Sequence, residues 1–170
     1  MARKKFGYML RNKGEHHAAV AAFEDLLAIQ IDHFGSAHVK VGITYMDIAT
    51  AVGVAGLGDH ERAREFYEKA VIVMASCYEA DPDPESYDQG DEPNNGWLQT
   101  ATIGLGGTYM DLAKTAEGLD DAARAVELFQ AAVDTLKPIH EKEPHPEDYD
   151  EEGWLLQSLD GLERGLTLLL

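Results

Sequence analysis

The residues Thr44-Tyr-Met-Asp-Ile-Ala49 recur further along the chain as Thr108-Tyr-Met-Asp-Leu-Ala113. A second similarity follows each copy, because Pro84-Glu-Ser-Tyr-Asp88 resembles Pro146-Glu-Asp-Tyr-Asp150. Each of these leads to a Gly-Trp-Leu triplet, at 96–98 and at 153–155. Self-similarity on this scale is the signature of a helical array.

Apolar residues around the motif fall at helical spacing. Val20, Phe23 and Leu27 begin one amphipathic stripe, and the segments 61–78 and 122–139 repeat it. Prolines in the segments 79–96 and 141–152 stop helices, so both segments are predicted to be loops. We therefore predict an all-α fold. Its helices are expected near residues 2–13, 15–33, 37–57, 59–80, 95–117, 120–142 and 153–169.

The repeated segments also carry large and small residues at set spacings. Repeat three shows the pattern without a gap, at Tyr109, Leu112, Ala113, Ala116, Ala125, Phe129 and Ala132. The chain thus resembles the tetratricopeptide repeat family. Its residues 34–41 and 45–49 resemble the longer repeats of kinesin light chains. The small pairs Ala49 with Ala63 and Ala113 with Ala125 are expected where antiparallel helices touch.

This resemblance implies a right-handed superhelix of antiparallel helix pairs, with three repeats and a C-terminal capping helix. We predict one helical-repeat domain over residues 1–170. Its parts are repeat one at 2–35, repeat two at 37–80, an acidic loop at 81–94, repeat three at 95–142, a second acidic loop at 143–152 and a C-terminal helix at 153–170.

The charge balance of the chain is strongly acidic. Its 170 residues include 14 Lys and Arg against 31 Asp and Glu, which gives a net charge of −17. Nucleic acid and anionic membrane surfaces would be repelled, so neither is expected as a partner. Seven acids lie in each of the segments 79–96 and 141–152. An acidic chaperone for a basic client is therefore one alternative function.

Catalytic and cofactor motifs are weak throughout the sequence. The acids at 81, 83, 85 and 92 resemble a calcium loop but have Ser86 where the turn glycine belongs. Cys77 lies on a helix stripe and is interpreted as a buried hydrophobe. We expect no enzyme activity, no metal and no cofactor. The N-terminus lacks the apolar core of a secretory signal, and no apolar run is long enough to span a membrane, which favours a cytoplasmic protein.

The family resemblance implies a concave groove lined by the first helix of each pair. Relatives that hold chaperone tails use Lys and Asn at five groove places. Only Lys4 matches here, and Asp47 and Asp111 would repel a carboxylate, so such a tail is not expected. The predicted groove residues are Lys4, Lys5, Tyr8, Arg11, Asn12, Met46, Asp47, Thr50, Val54, Met110, Asp111, Lys114 and Glu117.

The pairs Met46-Asp47 and Met110-Asp111 indicate the ligand expected in this groove. A carboxylate beside a polarizable thioether suits a basic and apolar segment of a protein partner. The alternative is that both acids are solvated or bond a neighbouring repeat. The predicted function is a non-catalytic scaffold or adaptor, with a structural subunit of a larger assembly, held through its edges and C-terminal helix, as a further alternative.

The C-terminal helix is unusually apolar. Its leucines are spaced by four and three residues along one face, at Leu155, Leu159, Leu162, Leu166 and Leu169. We expect this face to cap repeat three and also to join a second chain, as a homodimer or within an assembly. The alternative is a fragment whose next helix is missing. At the other end, Arg3, Lys4 and Lys5 are either a tip for head-to-tail contacts or a solvated end.

Overall fold

The computed structural model describes residues 2–53, 56–80, 95–142 and 151–170, and the predicted all-α class is confirmed over these ranges. The predicted acidic loop at 81–94 and residues 143–150 of the predicted loop at 143–152 lie outside them, whereas Glu151 and Glu152 belong to the last helix rather than to a loop. The helices are α1 (Ala2–Asn12), α2 (His16–Phe34), α3 (Val39–Val52), α4 (His60–Ala80), α5 (Asn95–Gly118), α6 (Ala122–Lys142) and α7 (Glu151–Leu168).

The largest difference from the predicted boundaries is the end of α3, which was expected near residue 57. Gly53 ends the helix by donating its N–H to the Ala49 carbonyl. The chain then turns, and the Asp59 N–H donates to the Val52 carbonyl at 2.8 Å. Gly58 takes a φ of +73°, which favours glycine. The predicted groove residue Val54 lies outside the described residues.

The chain packs as two compact units, residues 1–101 and 102–170, and each is described by itself. In unit 1, α1 packs on α2, α2 on α3, and α3 on α4. Phe23 of α2 is fully buried in this core. A Cβ at Gly7 of α1 would lie 2.4 Å from the Phe23 ring, so only glycine lets α1 approach α2 so closely.

A buried polar pair also joins α2 to α3. The Thr44 hydroxyl donates to the Gln30 side-chain oxygen at 2.7 Å, and both residues are buried. A buried amide without a partner is costly, so this bond helps to fix the pairing of the two helices. The predicted small contacts Ala49 and Ala63 are also fully buried in unit 1.

Unit 2 has the same kind of core. Phe129 of α6 is fully buried, and Ala113 and Ala125 lie in its cluster. α7 packs against α6. A Cβ at Gly161 of α7 would lie 2.3 Å from the Phe129 ring, so this glycine allows the close approach of the two helices.

The face that α7 packs inward differs from the predicted leucine seam. Leu155 is buried and Leu162 is half-buried, but the other inward positions are small: Ser158, Gly161 and Gly165. The remaining seam leucines, Leu159, Leu166 and Leu169, are exposed. Of the five leucines predicted for capping or for contact with a second chain, these three are therefore not buried against repeat three, and their contact with a second chain stays a prediction.

Candidate functional site

A cluster of polar side chains joins α1 to α3 in unit 1. The Tyr8 hydroxyl donates to the Asp47 carboxylate and lies 3.0 and 3.1 Å from its two oxygens. The Lys4 ammonium lies 3.8 Å from the same carboxylate. Both residues come from repeat one, whereas Asp47 comes from repeat two. The α1–α3 face is defined here as Lys4, Tyr8, Arg11, Asp47 and Thr50.

Asp47 does not face solvent, contrary to its predicted role as a ligand contact. It is only 3% exposed. Of the two alternatives for this acid, the structure favours the bond to a neighbouring repeat. A cationic ligand therefore does not find an accessible carboxylate at this position.

Burial also controls the electrostatics of this carboxyl. Loss of solvation raises the pKa of Asp47 from 3.8 to about 6, although Lys4, the Tyr8 hydrogen bond and Arg11 all favour the charged form. Burial, followed by the charge of Asp47, raises the pKa of Tyr8. The tyrosine therefore stays protonated at neutral pH and is a constant donor to the carboxylate.

The outward side of this face is cationic and aromatic. The Lys4 ammonium lies 5.5 Å from the centre of the Tyr8 ring, and the Arg11 guanidinium lies 5.1 Å from it. Phe23 supports the same ring in an edge-to-face contact, with ring centres 5.6 Å apart. The half-buried tyrosine is thus held in one orientation between two positive groups.

Thr50 extends the face towards α4. Its hydroxyl donates to the Met46 carbonyl at 3.0 Å and lies 3.1 Å from the Tyr67 hydroxyl. Burial raises the pKa of Tyr67. The contact between the Tyr67 and Thr50 hydroxyls depends on how α3 and α4 are rotated against each other, which the sequence pattern alone does not give.

The two methionines predicted as ligand contacts are interior residues. Met46 and Met110 are both buried, in the cores of unit 1 and unit 2 respectively. Their position beside polar residues led to the prediction that they line the groove. In the structure their side chains pack between the helices instead. Neither thioether is available to a ligand in this arrangement.

The remaining groove predictions divide between exposed residues and contacts to α7. Lys5 and Asn12 are exposed on α1. In unit 2, the Lys114 ammonium donates to the Gln157 side-chain oxygen at 2.7 Å, and Glu117 pairs with Arg164 at 3.3 Å.

These two contacts tie α5 to α7, much as Tyr8 and Asp47 tie α1 to α3. Asp111 is half-buried on α5. The sequence did not identify Gln157 and Arg164 as partners, since both looked like ordinary polar residues of a terminal helix.

Two findings restrict what the described helices contain. Within residues 2–53, 56–80, 95–142 and 151–170, no helix combines the length and apolar character needed to cross a lipid bilayer. Across the same ranges, three or more His, Cys, Asp or Glu side chains do not come together as a metal site.

Comparison with known protein families bears on the repeats directly. Residues 3–39, which contain α1 and α2, match a tetratricopeptide repeat model, and residues 55–71 match a second one. These two segments of the chain are similar to tetratricopeptide repeats.

Solved structures similar to this chain include the nearly identical TPR-like repeats of a Podosopora anserina protein described as a kinesin light chain. It shows 18% identity and a TM-score of 0.40, over 98% of this chain and 84% of that one. A variant of the same repeats gives 18% identity and a TM-score of 0.39 over the same shares. No curated protein sequence matches the chain.

Proposed function

We propose that this protein is a non-catalytic interaction module that binds a segment of a protein partner on the α1–α3 face. Tetratricopeptide repeats generally mediate protein–protein interaction. The observation that carries the proposal is the Tyr8 ring, which is half-buried, held from behind by Phe23 and flanked by Lys4 and Arg11. A rigid aromatic with adjacent cations is the kind of anchor that binding sites use.

The charge of this face decides which segment it suits. Asp47 is buried and already bonded to Tyr8 and Lys4, so the outward groups of α1 are positive. A ligand that stacks an apolar group on Tyr8 and offers a carboxylate to Arg11 is therefore favoured over the basic segment predicted from sequence. A basic client would have to use acids elsewhere, such as those in 81–94 and 143–150, and that alternative stays a prediction.

Charge removal on α1 tests the proposal. In Lys4→Gln with Arg11→Gln, the two cations beside Tyr8 are lost without adding a new charge. The matched control is Arg124→Gln with Lys137→Gln, which removes two cations from exposed positions of α6. Circular dichroism confirms that each variant stays helical.

The measurement is affinity for a library of short peptides, read by fluorescence anisotropy for the peptides that the parent protein binds. We expect the α1 variant to lose binding at least tenfold and to lose most of its salt dependence, whereas the α6 control binds as the parent does. Equal binding by parent and α1 variant, or a parent that selects only basic peptides, would refute the α1–α3 face as the binding site.

A further inference from the structure

The C-terminal helix α7 presents a second, mostly apolar stripe that is exposed among the residues the structure describes. Its positions recur every three and four residues, at Leu156, Leu159, Glu163 and Leu166, and we refer to these four as the open seam. Leu156 is 63% exposed and Leu166 is 50% exposed. The seam lies beside the inward face of small residues, so packing on α6 leaves it uncovered.

The first helix, α1, has an outer stripe of the opposite charge. Phe6 is 50% exposed and Met9 is 42% exposed, and the two are three residues apart on the side of α1 that borders the buried Gly7 and Leu10. Lys5 and Lys13 are exposed beside them. α1 contains no acidic residue, although the whole chain has a net charge of −17. Phe6, Met9, Lys5 and Lys13 form the outer stripe.

These two surfaces have the same spacing of apolar residues and carry opposite charges. Each is a helical stripe with apolar residues spaced by three or four. The open seam carries Glu163 among its leucines, and the outer stripe carries Lys5 and Lys13 beside its apolar side chains. Helix pairing of this kind buries the apolar positions and sets opposite charges at the edge of the contact.

We propose that the open seam of one copy binds the outer stripe of α1 on a second copy, so that the chains associate head to tail. An isologous pairing of two open seams is disfavoured, because it brings two copies of Glu163 into one apolar contact. A head-to-tail contact uses two different surfaces, and each added copy leaves one of each unoccupied. Association then continues beyond the dimer unless the chains close into a ring.

The net charge of −17 opposes this association, so the contact is weak and depends on concentration. At about 0.15 M salt the screening length is about 8 Å. Repulsion between distant acids is then reduced, whereas the apolar contact is retained. Sedimentation equilibrium of the full chain at this ionic strength is the appropriate measurement, over a wide range of protein concentration.

Two variants block one surface each. Met9→Glu with Lys13→Glu blocks the outer stripe, and Leu159→Glu with Leu166→Glu blocks the open seam. All four positions are exposed, so the helical content and melting temperature should remain those of the parent. The control is Ile72→Glu, which places a glutamate on an exposed apolar position of α4, outside both surfaces.

The parent and the control should show an average mass that rises with concentration past that of a dimer. Each blocked variant alone should stay monomeric. An equal mixture of the two should form a dimer that grows no further, because the one intact seam meets the one intact stripe. This recovery on mixing separates the proposal from a variant that has simply lost its fold.

Three results would overturn the proposal. The first is a parent that stays monomeric throughout the series. The second is a variant with a blocked outer stripe that still dimerises, since this shows that α7 pairs with itself. The third is a mixture of blocked variants that stays monomeric. Failure of these tests leaves the α1–α3 face unaffected, because neither blocked variant changes Lys4, Tyr8 or Arg11.

Discussion

Replacing Asp47 by Asn removes a buried charge and keeps the shape of the side chain. The Tyr8 hydroxyl, now 3.0 Å from Asp47 Oδ1, can donate to the amide oxygen of the asparagine in the same way. In the parent protein, burial raises the pKa of Asp47 from 3.8 to about 6. The difference of about two pKa units corresponds to a cost of roughly 3 kcal/mol for holding the ionised carboxylate in the folded state.

The pH dependence follows from this direction of shift. Between about pH 4 and pH 6 the folded protein binds a proton at Asp47 that the unfolded chain does not bind. The contribution of Asp47 to stability is therefore present at low pH and is lost as the pH rises through about 6. Asp47→Asn should be the more stable protein at pH 7.5, by up to roughly 3 kcal/mol, and should match the parent near pH 4.

Urea unfolding of both proteins between pH 4 and pH 8, followed by circular dichroism, measures this difference. Tyr8→Phe is the companion variant: it removes the donor from the ionised carboxylate, so it should destabilise the protein more at pH 7.5 than at pH 4.5. The side-chain carbon shift of Asp47 reports its pKa directly by NMR. An Asp47→Asn protein that is less stable than the parent at pH 7.5, or a difference that does not change with pH, refutes the reasoning.

Three further substitutions test the packing, each by urea unfolding. Gly7→Ala should destabilise unit 1 by about 1–3 kcal/mol, because its Cβ would meet the buried Phe23 ring at 2.4 Å; unchanged stability would show that the ring moves aside freely. Thr44→Val should cost about 1–3 kcal/mol, since it leaves the buried Gln30 oxygen without its donor; a neutral result would mean that water replaces the hydroxyl. Ala113→Leu should cost about 1–3 kcal/mol by overpacking the cluster around α5 and α6; a free energy of unfolding equal to that of the parent would contradict the assigned repeat register.

The helices and their pairing were predictable because they depend on local periodicity. Apolar residues at helical spacing place α2, α4 and α6 within a few residues of their observed bounds. The end of α3 was harder to predict from the sequence, since Gly53 and the turn to Asp59 stop the helix through backbone hydrogen bonds. The spacing of side chains carries little information about such a stop.

The environment of Asp47 was not predictable from its own repeat. The same Tyr-Met-Asp sequence occurs in both copies, yet the burial of Asp47 depends on Tyr8 and Lys4, which reach it from another helix. A side chain at the edge of a helix face becomes a surface group or an interior group according to its neighbour. The residue pattern of one helix does not show which side chains of another helix will contact it.

The inward face of α7 was missed for a different reason. Predicting a buried face from the spacing of apolar residues favours the face with the largest apolar side chains. In this helix that face is the leucine seam. The face that packs on α6 instead has Ser158, Gly161 and Gly165, whose small size permits close approach. Small residues at helical spacing are therefore a better indication of a close helix contact here than the leucines are.

The two proposed surfaces share α1 but use different sides of it. Gly7 and Leu10 face the core, Lys4 and Tyr8 face α3, and Met9 lies on the outer stripe. α1 is 11 residues long, about three turns, and each surface follows a different side of it, so a partner on one side leaves the other side uncovered. Head-to-tail association would thus repeat the α1–α3 face along an assembly. A ligand that carries several matching segments would then bind the assembly more tightly than a single copy, without any new contact at Tyr8.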